Sequence, residues 1–282
     1  MKLLSFCLLV ALSFSLNSHA SFPDNSQNIP VNNNRKSLIR LTEDVFLQWI
    51  EVFKKQMEPV VAKRYSKALI VHPHWEDPRV KAWATRDMQN NAVINITGGL
   101  ARHPLMTQEA FTLLLCHELG HQFGGAPKKF RGQSDLRSWS SAEGQADYYA
   151  VTRCFPHFVK AGIFKKAKEH TPSIYKVCLT DQCTDIVEAG LSVARLFHDV
   201  TSGGEAPGLD QKDPRKVFRT IYKHPRPQCR LDTFVSGANC DMSTLEKSSI
   251  DDSDPLVGAC PTNPDENREG GRPACWFSAE KF

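Results

Sequence analysis

After the apolar stretch at residues 3–16 the sequence has no second long hydrophobic run, which excludes a polytopic membrane protein built from helices. Charge of one sign is also lacking. Lys and Arg number 35 against 31 Asp and Glu, a formal net charge of +4, or +3 once Lys2 is set aside. So small an excess on 282 residues gives no electrostatic reason to bind nucleic acid or an anionic membrane. Basic pairs such as Lys128-Lys129 and Lys165-Lys166 read as solvated faces. No Cys-x-x-Cys spacing occurs, which disfavours a cysteine-rich metal cluster. No internal repeat is visible, and the acidic patch Asp251-Asp252-Ser253-Asp254 lacks EF-hand spacing and reads as a solvated turn.

What is present begins with Lys2, the apolar run and the small residues of Ser18-His19-Ala20. That order predicts a secretory signal peptide over residues 1–20 and an exported, periplasmic or secreted chain with no stable membrane insertion after cleavage. Nine cysteines less Cys7 leave eight, an even number suited to disulfides in an exported protein. Short loops suggest Cys178 with Cys183, Cys229 with Cys240 and Cys260 with Cys275. Cys116 and Cys154 are then left as partners or as buried thiols.

Residues 21–36 are rich in Asn, Ser and Pro and read as a flexible lead-in. Leu41, Val45, Trp49, Phe53, Met57 and Val60 repeat at helical spacing and predict a helix over 38–61. Short strand-like pieces follow at 68–71, 80–85 and 92–97. The helix predicted over 107–123 has Thr107 to cap it, Glu109 in its first turn and Gly124-Gly125 with Pro127 to stop it. Residues 130–139 read as a polar connection, and Ser140 as the cap of a second helix running to about Cys154. Further helices are expected over 186–200 and 217–222. Beyond Cys240, Asp, Ser, Pro, Gly and Asn dominate and periodicity ends. The fold class is therefore α+β: mainly helical, with a small sheet beside the central helix. A main domain over 37–240 is followed by a loop-rich, disulfide-braced tail over 241–282.

The central helix carries Cys116-His117-Glu118-Leu119-Gly120-His121. Two histidines four apart lie on one helical face and can share a zinc ion, while Glu118 projects from a neighbouring angle and can reach a water on the metal. A catalytic zinc needs three protein ligands and an open position. A third histidine six residues after His121 is ruled out, because that position is Pro127. Glu143 on the second helix fits instead. Asp147, one turn further on, is placed to accept a hydrogen bond from a zinc-bound imidazole.

These residues, with Glu143-Gly144-Gln145-Ala146-Asp147, resemble the zinc metallopeptidases typified by HtpX and the CAAX prenyl protease. The resemblance extends to His224-Pro225 with Arg230 six residues after the histidine, and to the approach from Asn91 through Leu100. It covers about residues 90–235 and implies a zincin-like fold with one zinc held by His117, His121 and Glu143. It also implies an endopeptidase acting on protein or peptide, with Glu118 as general base. His224 and Arg230 are candidates for oxyanion stabilisation, with Tyr148 and Tyr149 as further possibilities. The chain lacks the transmembrane helices of the membrane-embedded members and the helical-repeat domain of soluble periplasmic ones. Residues 92–97 are the candidate edge strand for substrate. The rival reading is a catalytically silent, zinc-binding, disulfide-braced interaction protein.

Overall fold

The computed structural model describes residues 19–20, 22–31, 41–131, 135–164, 170–178, 180–201, 204–240, 249–260 and 270–281. Most of the predicted signal, the Lys165-Lys166 pair and residues 38–40 of the first predicted helix lie outside these.

Helix α1 (Glu43–Tyr65) starts where the Thr42 hydroxyl accepts from the Val45 amide and ends at Ser66, whose left-handed conformation (φ 51°) closes the last turn. Its Phe46, Ile50, Phe53, Met57 and Val61 stripe is buried against the sheet and the central helix. The sheet contains β1 (His19–Ala20), β2 (Leu69–His74), β3 (Ala82–Arg86) and β4 (Ala92–Thr97) in the order β1-β3-β4-β2. β4 runs parallel to β2 and antiparallel to β3. All six residues of β4 are buried. It is therefore an interior strand and not the edge expected from the sequence; its Val-Ile-Asn-Ile run suits a strand covered on both faces.

A short turn, α2 (Gly98–Ala101), leads to α3 (Gln108–Phe123), capped by Thr107 as predicted. Every residue from Ala110 to Gln122 is buried, so α3 is a core helix enclosed on all sides. Residues 130–139 are more than a connection. β5 (Lys128–Phe130) and β6 (Arg137–Ser141) form an antiparallel hairpin with a register irregularity between Lys128 and Phe130.

Ser140 lies in β6, and Ala142 is the N-cap of α4 (Glu143–Tyr149). The predicted Ser140 cap fails because that hydroxyl stays beside the His121 imidazole. The helical path continues through a π turn (Ala150–Cys154) into α5 (Phe155–Lys160). α6 (Pro172–Val177), α7 (Asp181–Thr201) and α8 (Pro227–Ala238) complete the mixed α+β architecture. No helix among the described residues is long and apolar enough to cross a membrane.

One stretch read as flexible is docked, and one read as a helix is extended. In the lead-in, Phe22 is buried against Phe197 at 4.8 Å between ring centroids, and the Ile29 amide donates to Pro78 O. The helix expected at 217–222 is an extended strap. Its Val217, Thr220 and Ile221 amides donate to Ala274, Lys281 and Trp276 carbonyls of the tail, which leaves them no helical partners.

Four disulfides staple the chain: Cys116–Cys154, Cys178–Cys183, Cys229–Cys275 and Cys240–Cys260. The two pairings guessed from short loops within the last four cysteines are therefore crossed over. The reason is that the tail folds back on α8, so each end of that helix is joined to it. Trp276, fully buried, donates its indole N–H to Thr233 and packs where a Cβ on Gly144 would stand 2.3 Å from its ring.

Candidate metal centre

The site forms where α3 crosses α4. The two approach closely because Gly120 has no side chain: a Cβ there would lie 2.6 Å from Ala146 O. At this crossing His117 and His121 of α3 face Glu143, the first residue of α4. The ligand-capable atoms of these three residues all lie within 4.8 Å of one another, and all three residues are buried. Glu143 Oε2 stands 3.3 Å from His117 Nε2 and 3.6 Å from His121 Nε2.

The outer nitrogens are committed elsewhere. His117 Nδ1 is 2.7 Å from Asp147 Oδ1, and His121 Nδ1–H donates to Ser141 O at 2.9 Å. In the neutral form that binds a metal, a proton on each Nδ1 leaves each Nε2 lone pair aimed into the crossing. His117 Nε2, His121 Nε2 and Glu143 Oε2 are buried without a hydrogen-bond partner. Three such atoms converging is costly unless a cation joins them, so the residues fit a metal ion. The group can hold one, and the donor set does not by itself name the element.

The electrostatics follow the same geometry. Burial disfavours charge on His117, but the Asp147 carboxylate outweighs it and raises the imidazole to about 9 in the metal-free site. Burial, aided by the nearby Lys129 ammonium, lowers His121 to about 3 despite the pull of Glu143. Burial alone would raise Glu143; Lys129, His224 and the two histidines together hold it well below the usual carboxylate range.

Of the other expected site residues, Glu118 is fully buried on α3 next to His117. His224, on the strap before α8, has its Nε2 3.3 Å from Glu143 Oε1 and a side chain 28% exposed, so it borders the mouth of the site. Arg230 of α8 lies at the back. Its NH2 donates to Asp147 Oδ1 at 2.6 Å and its guanidinium covers the Phe197 ring at 3.6 Å. Neither tyrosine faces the three ligand-capable atoms. The Tyr148 hydroxyl donates to Gly270 O and accepts from the Cys260 amide, and burial pushes it up to about 12. Tyr149 is hydrogen-bonded to Tyr65.

Sequence reasoning missed Lys129. The pair read as solvated is ion-paired in both members: Lys128, buried, reaches Asp252 at 2.7 Å, and Lys129, half-buried, reaches Glu143 Oε1 at 2.6 Å. No single-sequence signal marks Lys129, since its partner is brought near only by the β5–β6 hairpin. No family model, curated protein or solved structure matches the chain. The functional reading therefore rests on the motifs and this geometry.

Proposed function

We propose that the chain is an exported zinc-dependent endopeptidase with a zincin-type core, similar in its site to the HtpX and CAAX prenyl protease peptidases. One observation carries this reading: two imidazole nitrogens and one carboxylate oxygen converge, buried and unpartnered, with Glu118 next to His117 on α3. Two imidazoles and a carboxylate are a donor set suited to zinc. Three protein ligands leave a position open for reaction, whereas a structural zinc site fills all four, usually with cysteines. The four disulfides fit an oxidising compartment.

Zinc, if held by His117, His121 and Glu143, would supply Lewis acidity toward the peptide carbonyl and the attacking water. Glu118 takes the proton of the attacking water and delivers it to the leaving nitrogen. His224, at the mouth of the site, donates to the developing oxyanion. Asp147 orients His117, and Arg230 holds Asp147 in place; Arg230 thus acts through the ligand and not on the oxyanion. Substrate docks as an added strand. Because β4 is interior, that edge is reassigned to β3, whose outer side is paired, among the described residues, with His19 and Ala20, the residues at the predicted cleavage point.

The test uses two variants of the purified protein. Glu118→Gln retains zinc and loses nearly all chelator-sensitive cleavage of an unfolded protein substrate. His117→Ala loses the metal. Undiminished turnover in the first removes Glu118 from the base role, and stoichiometric zinc in the second contradicts the ligand set. A wild type that binds zinc but cleaves nothing favours the silent binding module.

A further inference from the structure

The two oxygens of Glu143 have different surroundings. Oε2 faces the two imidazoles and has no hydrogen-bond partner. Oε1 receives the Lys129 ammonium at 2.6 Å and has His224 Nε2 at 3.3 Å. Lys129 sits at the register irregularity of the β5–β6 hairpin, and such bulges re-aim a side chain out of the regular alternation. Its side chain is only 14% exposed, beside a carboxylate that is 1% exposed.

The hairpin is also fastened in position. Phe130 packs edge-on to Tyr222 at 4.8 Å, and the Arg137 guanidinium covers both rings at 3.9 and 4.9 Å. This stack ties the hairpin that carries Lys129 to the strap that carries His224. Two separate elements are thereby locked together with both cationic or polar ends on one oxygen of one carboxylate.

We propose that Lys129 is a positioning residue that keeps Glu143 a one-oxygen, weakened metal ligand. The inference rests on the metal-site reading above and extends it to how strongly the ion is held. Holding Oε1 offers the ion Oε2 alone. A positive charge on the same carboxylate also withdraws negative charge from the ion and repels it directly. Both effects lower metal affinity, and both leave a bound cation more electron-deficient and a stronger Lewis acid. Most residues near a metal site strengthen binding; Lys129 is assigned the opposite sign, and that sign separates tuning from structural support.

The experiment measures zinc affinity of the full chain by competition with a chromophoric chelator, together with the visible spectrum of the cobalt-loaded protein. Lys129→Met keeps the stem and removes the charge. It is expected to bind zinc about tenfold tighter or more, with a changed cobalt spectrum as Glu143 gains freedom to use both oxygens. Lys129→Arg restores the wild-type values. Lys129→Gln supplies a second reading if the Met variant does not fold. Affinity equal to or weaker than wild type in these neutral variants, with an unchanged cobalt spectrum, overturns the proposal. If the wild-type chain binds neither ion, the metal-site reading and this one fall together. If wild type binds zinc and cleaves substrate while the neutral variants match it, the role of Lys129 alone falls.

Discussion

Asp147 and Arg230 form a charge pair at the back of the site, and a double-mutant cycle on it separates fold stability from metal binding. Asp147 is fully buried and Arg230 is 1% exposed, with a 2.6 Å contact between them. Removing one partner of such a pair strands the other charge and costs about 3–5 kcal/mol. In a domain of this size that is about 6–20 °C of melting temperature. The two single losses are unequal in the metal-free protein. Asp147→Asn leaves Arg230 facing a neutral amide, the Phe197 ring and the His117 imidazole, with no anionic partner among these, whereas Arg230→Met leaves Asp147 still paired with the His117 imidazolium at 2.7 Å. The first is therefore the more damaging. The double variant removes both charges and is expected to lose at least about 2 kcal/mol less than the sum of the singles. Zinc affinity divides differently. Asp147 is the acceptor that fixes the His117 proton on Nδ1, so its loss weakens zinc about 10–100-fold. Arg230→Met keeps that acceptor and keeps most of the affinity. Thermal melts of the metal-free protein and chelator competition measure the two quantities. Additive stability losses, or an Arg230 variant as poor in zinc as the Asp147 variant, would refute the reasoning.

Other perturbations test separate parts of the structure. Replacing Cys116 and Cys154 by Ala removes a 38-residue cross-link between α3 and the π turn and is expected to destabilise by about 3–4 kcal/mol, read by denaturant titration; a loss under 1 kcal/mol would show that packing alone holds the two helices. Gly144→Ala forces a methyl to within 2.3 Å of the Trp276 ring, and either the tail or Glu143 must shift, so the variant should show altered Trp fluorescence and weaker zinc binding together. For pH, the His117 imidazole is raised to about 9 in the metal-free fold, above its ordinary value of about 6.5. The charged pair with Asp147 thus stabilises the metal-free protein fully below pH 6.5, and that contribution is lost as pH rises through 9. Zinc must displace the same proton, so its apparent affinity rises over that window. The gap in melting temperature between zinc-loaded and metal-free protein should therefore widen from pH 6.5 to 9, and a constant gap in calorimetry counts against the assignment.

The candidate metal centre was largely legible because helical spacing is a local rule. His117 and His121 share a face through the 3.6-residue period, and Glu143 and Asp147 do so on α4. Pro127 has no ligand atom, which leaves the third ligand to a carboxylate on α4. Arg230 is implied by the family resemblance of the His224-to-Arg230 segment, yet its position behind Asp147 depends on how α8 packs on α4. That packing is fixed by the Cys229–Cys275 disulfide and the tail, neither of which periodicity encodes.

What the sequence concealed has a common physical origin: long-range pairing that changes the meaning of a local pattern. Val217 and Ile221 are spaced as in a helix, but the tail carbonyls take the amides of the strap before a helix can use them. The Ala92–Thr97 run satisfies the pattern of any apolar strand, and only the arrival of β2 on one side and β3 on the other makes it interior. The eight cysteines suggested nearest-neighbour bridges because loop-closure cost favours short loops; a tail that returns across both ends of α8 brings distant thiols together at little further cost, since that cost grows only slowly with length. Lys129 belongs to the same class. Two adjacent lysines in a polar stretch look solvated until the β5–β6 hairpin brings Lys128 to Asp252 and Lys129 to Glu143. A basic residue that a sequence assigns to the surface can thus face a fully buried carboxylate of the site, and its charge then counts in the balance that sets metal affinity.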